Sequence, residues 1–163
     1  MNKKLIGIGI VILAIGSFGY YAISPLFHNI KADEALPGST TTPTPKDVVK
    51  IDSPKLAPAS STHSAGTVTG TLGHPASGTV RIVEAEGKKY IRYENFKTIN
   101  GPDIYVYLAK DLDAKDFINL GKVRATEGNI NYEIPAGTNA TDYKYVLTWC
   151  KTFSVLFNSA QIN

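Results

Sequence analysis

The chain has 163 residues, 43% of them hydrophobic and 19% charged, with 17 Lys+Arg against 14 Asp+Glu. That is chain enough for one globular domain with appendages, and its composition is not that of a disordered polyelectrolyte. From residue 65 onward about 11 basic residues face about 10 acidic ones, so this part carries no electrostatic footprint for nucleic acid, and that function class is excluded.

The chain opens with Lys3 and Lys4, and residues 5–23 then run without a charge. At 1.5 Å per residue such a helix spans roughly 28 Å, close to the ~30 Å hydrocarbon core of a bilayer. The two lysines favour a cytoplasmic N-terminus, and Phe18, Tyr20 and Tyr21 fall where aromatic rings prefer the headgroup level. A cleaved signal peptide would want a shorter apolar core and small residues at the cut, where Tyr20-Tyr21 stands instead. The pattern predicts an uncleaved single-span anchor over residues 1–23, with everything after it outside the cytoplasm.

Residues 24–64 carry Pro25, Pro37, Pro43, Pro45, Pro54 and Pro58 with runs of Ser and Thr, and no sustained apolar period. This composition buries too little surface to offset chain entropy and predicts a disordered linker. His28 and His63 have no partnering ligands nearby in sequence and read as solvated residues.

Residues 65–163 then read as short strands with regular punctuation. Alternating apolar and polar residues occur around Val80-Arg81-Ile82, Tyr90-Ile91-Arg92-Tyr93 and Ile104-Tyr105-Val106-Tyr107-Leu108. Further strand candidates cover 67–72, 119–123 and 129–134, and Asn100-Gly101-Pro102-Asp103 is a strong turn signal. The chain closes on its most aromatic stretch. Tyr143, Tyr145, Leu147 and Trp149 alternate with Lys144, Val146, Thr148 and Cys150, and a second strand follows through Phe153, Val155 and Phe157. No segment in this part keeps a helical period over ten residues. The expectation is an all-β antiparallel sandwich of seven to nine strands, with Tyr145, Leu147 and Trp149 in the inter-sheet core and Phe153, Val155 and Phe157 joining them from the neighbouring strand.

Cys150 is the only cysteine. Exported domains normally pair their cysteines, so a lone one reads either as a reactive thiol or ligand, or as a buried small hydrophobe. His74, in a Gly/Pro loop, is a candidate second ligand or proton acceptor, with a solvated loop histidine as the plain alternative. Asp103 is either a turn cap or a neighbour that tunes the thiol. One Cys and one His fall short of a zinc site, so no metal is expected. Asp111, Asp113 and Asp116 lack the Gly and terminal Glu of a helix-loop-helix calcium loop and read as a solvated turn. Asn139-Ala140-Thr141 is a formal glycosylation sequon. No constellation for enzymatic turnover stands out.

Five motifs occur in order: His74-Pro75-Ala76-Ser77-Gly78-Thr79, Asn95-Phe96, Asn100-Gly101-Pro102-Asp103 leading into Tyr105-Val106-Tyr107-Leu108, Gly128-Asn129-Ile130-Asn131-Tyr132-Glu133-Ile134-Pro135, and Trp149-Cys150-Lys151 followed by Phe153-Ser154-Val155 and Phe157. Together they resemble the DM-thirteen domain over nearly all of residues 65–162. The resemblance implies a role in electron transfer, with Cys150 as a redox thiol or as a ligand to a group such as haem, supported by Trp149, His74 and Asp103, and with redox proteins as partners. In animals and plants the domain accompanies DOMON and haem-bearing domains, neither of which is expected among these 163 residues. Its alternative is a cell-surface binding or adhesion sandwich with a structural cysteine.

Overall fold

The computed structural model describes residues 3–24, 29–39 and 65–162. The expectations on His28, His63 and the Pro- and Thr-rich residues 40–64 lie outside them. The N-terminal helix α1 runs Lys3–Ile23. Among the described residues no helix is long and apolar enough to cross a membrane.

Among the described residues ten strands build two five-stranded sheets that face each other. In chain order they are β1 (Lys31–Asp33), β2 (Gly66–Thr67), β3 (Thr69–Gly70), β4 (Ala76–Ala85), β5 (Lys88–Thr98), β6 (Ile104–Ala109), β7 (Phe117–Lys122), β8 (Glu127–Glu133), β9 (Tyr145–Cys150) and β10 (Val155–Gln161). One sheet is ordered β1-β8-β5-β4-β2 and the other β3-β10-β9-β6-β7. All pairings are antiparallel except β1 on β8. The expected two-sheet architecture is present. Its strand count exceeds expectation because β1, β2 and β3 are only two or three residues long and draw their order from the edges they pair with.

The core between the sheets gathers Val80, Ile82, Ile91, Tyr93, Phe96, Ile130 and Tyr132 from one side, and Val106, Leu108, Val146, Ala160 and Ile162 from the other. Here the structure corrects the expected core: Phe153, in the turn before β10, is 41% exposed, and the faces of β9 are exchanged. Val146, Thr148 and Cys150 form the inward face of β9, whereas Tyr145, Leu147 and Trp149 belong to a separate cluster with Tyr105, Tyr107, Ala109 and Leu156. The physical reason is volume. The opposite sheet already supplies the Tyr93 and Phe96 rings, 4.4 Å apart, and close packing then asks for small side chains across from them. The larger residues of β9 go to the other face, where Tyr107 stacks on Phe117 at 4.1 Å.

A second departure concerns residues 29–39, which composition placed in the linker. Lys31, Ala32 and Asp33 pair in parallel register with Glu127, Gly128 and Asn129. Thr126 anchors the entry: its hydroxyl accepts from the Ile30 amide at 3.0 Å, and its own amide donates to the Ile30 carbonyl at 2.7 Å. Beyond β1 the chain passes over Arg92, only 6% exposed, whose guanidinium donates to the Glu34 carbonyl at 2.7 Å and to the Asn131 side-chain oxygen at 3.1 Å. A buried charge must be hydrogen-bonded, and these carbonyls supply part of that need.

Candidate functional site

Cys150 ends β9 and sits between two strands, opposite Ile104 of β6 and Val155 of β10. It is 0% exposed. Its cluster consists of Ile104 and Phe157, with Ile99, Val123 and Val155 packed against them. A side chain in such a pocket is placed by sheet register on two sides and by loop residues on the others.

The other residues named from sequence lie around this cluster in different roles. The ring of His74 stacks on Phe157, centroids 4.0 Å apart and planes at 27°. Its Nδ1 lies 3.1 Å from the Thr71 hydroxyl, which also lies 2.8 Å from the Leu156 carbonyl. Thr71 has a single hydroxyl proton; given to that carbonyl, it leaves the Nδ1–H of His74 as the donor to Thr71. The loop bearing His74 is thereby fastened to β10, and Phe157 lies between His74 and the thiol cluster.

Asp103 braces the turn that follows Cys150. Its backbone carbonyl accepts from the Lys151 amide at 2.9 Å, its carboxylate accepts from the Thr152 hydroxyl at 3.1 Å, and Lys122 approaches it at 3.5 Å. Trp149 pairs with Tyr105 and Leu156, half-buried on the face of β9 away from the thiol. The four residues thus share one end of the sandwich, and Cys150 is separated from His74 by a ring and from Trp149 by the sheet.

Two more groups share the inward face. Thr148, two residues before Cys150, and Tyr93 across the interface are both fully buried, and neither hydroxyl has a hydrogen-bond partner in good geometry. Burial pushes the Tyr93 phenol well above its ordinary pKa, with the nearby Thr148 hydroxyl acting slightly against it. No sequence signal marks this pair, because it is created by the sheet-to-sheet contact. Ile99 and Val123, which pack against the thiol cluster, and Thr71, which fastens the His74 loop, were likewise not singled out.

Among the described residues no group of three or more His, Cys, Asp or Glu side chains converges as a metal site. The Asp111 carboxylate is used within its own turn, accepting from the amides of Asp113 and Lys115 at 2.9 and 3.1 Å, which hold it below the usual carboxylate range. The sequon residue Asn139 is exposed, and its amide donates to Asp142 at 2.9 Å.

The haem that the family resemblance brings to mind does not fit at Cys150. A cofactor site needs a concave space of several hundred Å³ beside the ligating atom, and the sulfur here meets packed apolar side chains. The described clefts lie elsewhere. One, of about 570 Å³, is lined by Glu34, Tyr90, Lys122, Arg124 and Tyr132.

A family profile described as Electron transfer DM13 matches residues 69–162, a span that takes in every motif residue from His74 to Phe157. No curated protein matches the chain, and no solved structure does.

Proposed function

This chain belongs to the Electron transfer DM13 family, and from that premise we propose that it is a membrane-tethered, extracytoplasmic accessory module of an electron-transfer system. In this reading α1 is a single-pass anchor, the sandwich stands outside the cytoplasm, redox proteins are its partners, and Cys150 is a packed thiol in the folded state. The anchor reading is supported by the charge-free run of residues 5–23 and by the apolar side chains that the helix exposes. The helix has 21 residues, or roughly 32 Å at 1.5 Å each. Ile8, Ile10, Val11, Ile12, Leu13, Ile15 and Phe18 are all exposed, on every side of it, and a helix apolar all round asks for a non-aqueous environment.

The observation that carries the reading of the thiol is its complete enclosure by Ile104, Phe157, Ile99, Val123 and Val155. Thiol redox chemistry starts from the thiolate, which needs a proton acceptor and stabilising donors, and this pocket offers side chains that supply neither. The experiment is an absorption spectrum and a redox titration of the full chain purified from its own source, beside Cys150→Ala. The expected result is no haem band and no redox wave that depends on Cys150. A wave lost in Cys150→Ala, or a haem band, would overturn the reading.

A second reading keeps Cys150 as the redox thiol of an opened form. It is favoured by one observation: the pocket lies at the end of β9, and its cover toward His74 is the single ring of Phe157. In that case the wave appears, and it strengthens when His74 is replaced by Ala.

A further inference from the structure

We infer that the Cys150 end of the sandwich rests on the lipid surface, seated through Leu72 and Phe153; this deepens the anchor reading above and rests on it. The orientation follows from β1. Its first residue pairs with Glu127, which in turn pairs with Lys97 near the end of β5. That is the end from which the chain turns through residues 99–103 into Ile104, the partner of Cys150. The chain leaving α1 therefore meets the sandwich at its Cys150 end. Six residues lie between Ile23 and Ile30, and the seven steps reach at most about 25 Å when fully extended.

Two side chains at this end are placed as a lipid contact would have them. Leu72, at the tip of the loop fastened to β10 by Thr71, is 100% exposed. Phe153, in the turn after Cys150, is 41% exposed, and its ring meets that of Phe18 edge-on with centroids 6.1 Å apart. Phe18 lies five residues before the end of α1, which is roughly 7 Å along the helix axis and within the 5–10 Å depth reached by interfacial apolar side chains. Exposed Lys97, Lys122 and Lys151 belong to the same end, where cations meet lipid phosphates. The occupant is thus the bilayer interface around the protein's own anchor.

Trp149, the only tryptophan, stands one residue from Cys150 and reports on this end without added labels. The full chain is reconstituted in phosphatidylcholine–phosphatidylglycerol vesicles carrying nitroxides either at the headgroup level or deep in the acyl chains. Carbonate washing of the same vesicles tests the anchor separately. The expected result is that the chain stays with the vesicles and that headgroup-level nitroxides lower Trp149 emission by roughly twofold, as an interfacial depth requires, and more than deep ones do. Leu72→Asp with Phe153→Asp abolishes the quenching while the chain stays in the pellet; both positions are exposed, and the Ser pair replaces the Asp pair if circular dichroism shows a folding loss. A wild-type chain that resists washing yet shows no quenching overturns the docking alone. Equal quenching in wild type and variant also overturns it, by moving the contact to another surface. A chain released by washing overturns the anchor, and the docking with it.

Discussion

The imidazole of His74 lies face to face with the ring of Phe157, at 4.0 Å between centroids, and Phe157 packs in the cluster of Cys150. A loop residue thereby holds the cover of a buried thiol without touching it chemically. The stack is expected to stabilise the closed end by about 1 kcal/mol, as aromatic pairs do. His74→Ala should lose that amount in urea denaturation, and His74→Phe, which keeps a stacking ring, should restore most of it. Equal stability in all three proteins would count against the cover.

Gly128 has φ +115, and a side chain added there would run into the Ala32 carbonyl. Gly128→Ala should therefore detach β1 as well as strain β8, since left-handed backbone disfavours a Cβ. Hydrogen exchange is the sharper measurement. Protection of the Glu34 amide, which donates to the Asn129 carbonyl at 2.9 Å, should vanish, while that of Ile82 and Ile91 in the core stays. Retained protection of the Glu34 amide would contradict the docking of this segment.

The inversion of β9 has an energetic consequence. Phe157→Ala removes a buried ring and should cost about 3–5 kcal/mol. Trp149→Ala removes a half-buried ring from the other face of the sheet and should cost clearly less, although the side chain is larger. Chemical denaturation of the two variants gives the comparison directly, and the reverse order would return Trp149 to the inter-sheet core.

Glu94 supplies a pH signature. Its carboxyl is held below the ordinary range first by the hydrogen bond from Arg81, at 2.8 Å, with burial acting the other way and Arg92 adding charge. A depressed folded pKa means stability that is complete above the unfolded value of 4.5 and lost as pH falls through the folded one. The pair is partly solvated, so the gain is less than about 1 kcal/mol. Melting temperatures of wild type and Glu94→Gln should differ at pH 7 and converge as the pH falls from 4.5 through the lower folded value; a constant gap would reject the assignment.

The sequence carried the layered architecture because period-2 alternation and Gly/Pro/Asn turns are local properties. The N-terminal helix was likewise visible as a charge-free run over residues 5–23 and is found as Lys3–Ile23. Three features were not legible, for a common reason. The three residues of β1 have no apolar period of their own, and their partners lie 96 positions away. The inward face of β9 was set by the rings of the opposite sheet, which alternation within β9 cannot reveal. The bulge between Leu156 and Asn158 turns buried Asn158 toward Thr98, 3.0 Å from its hydroxyl, on a face that alternation would have left outside. Cys150, Trp149, His74 and Asp103 do share one end of the fold. Their separation by Phe157 and by the sheet became visible only with the packing.

The central claim is that the folded chain keeps Cys150 sealed. Its most direct test is the rate at which a small maleimide modifies the single thiol of the full chain in membranes, before and after unfolding in guanidinium. The account predicts essentially no modification of the native protein over the time in which the unfolded chain reacts to completion. Native labelling as fast as that of the unfolded chain would show an open thiol and contradict it.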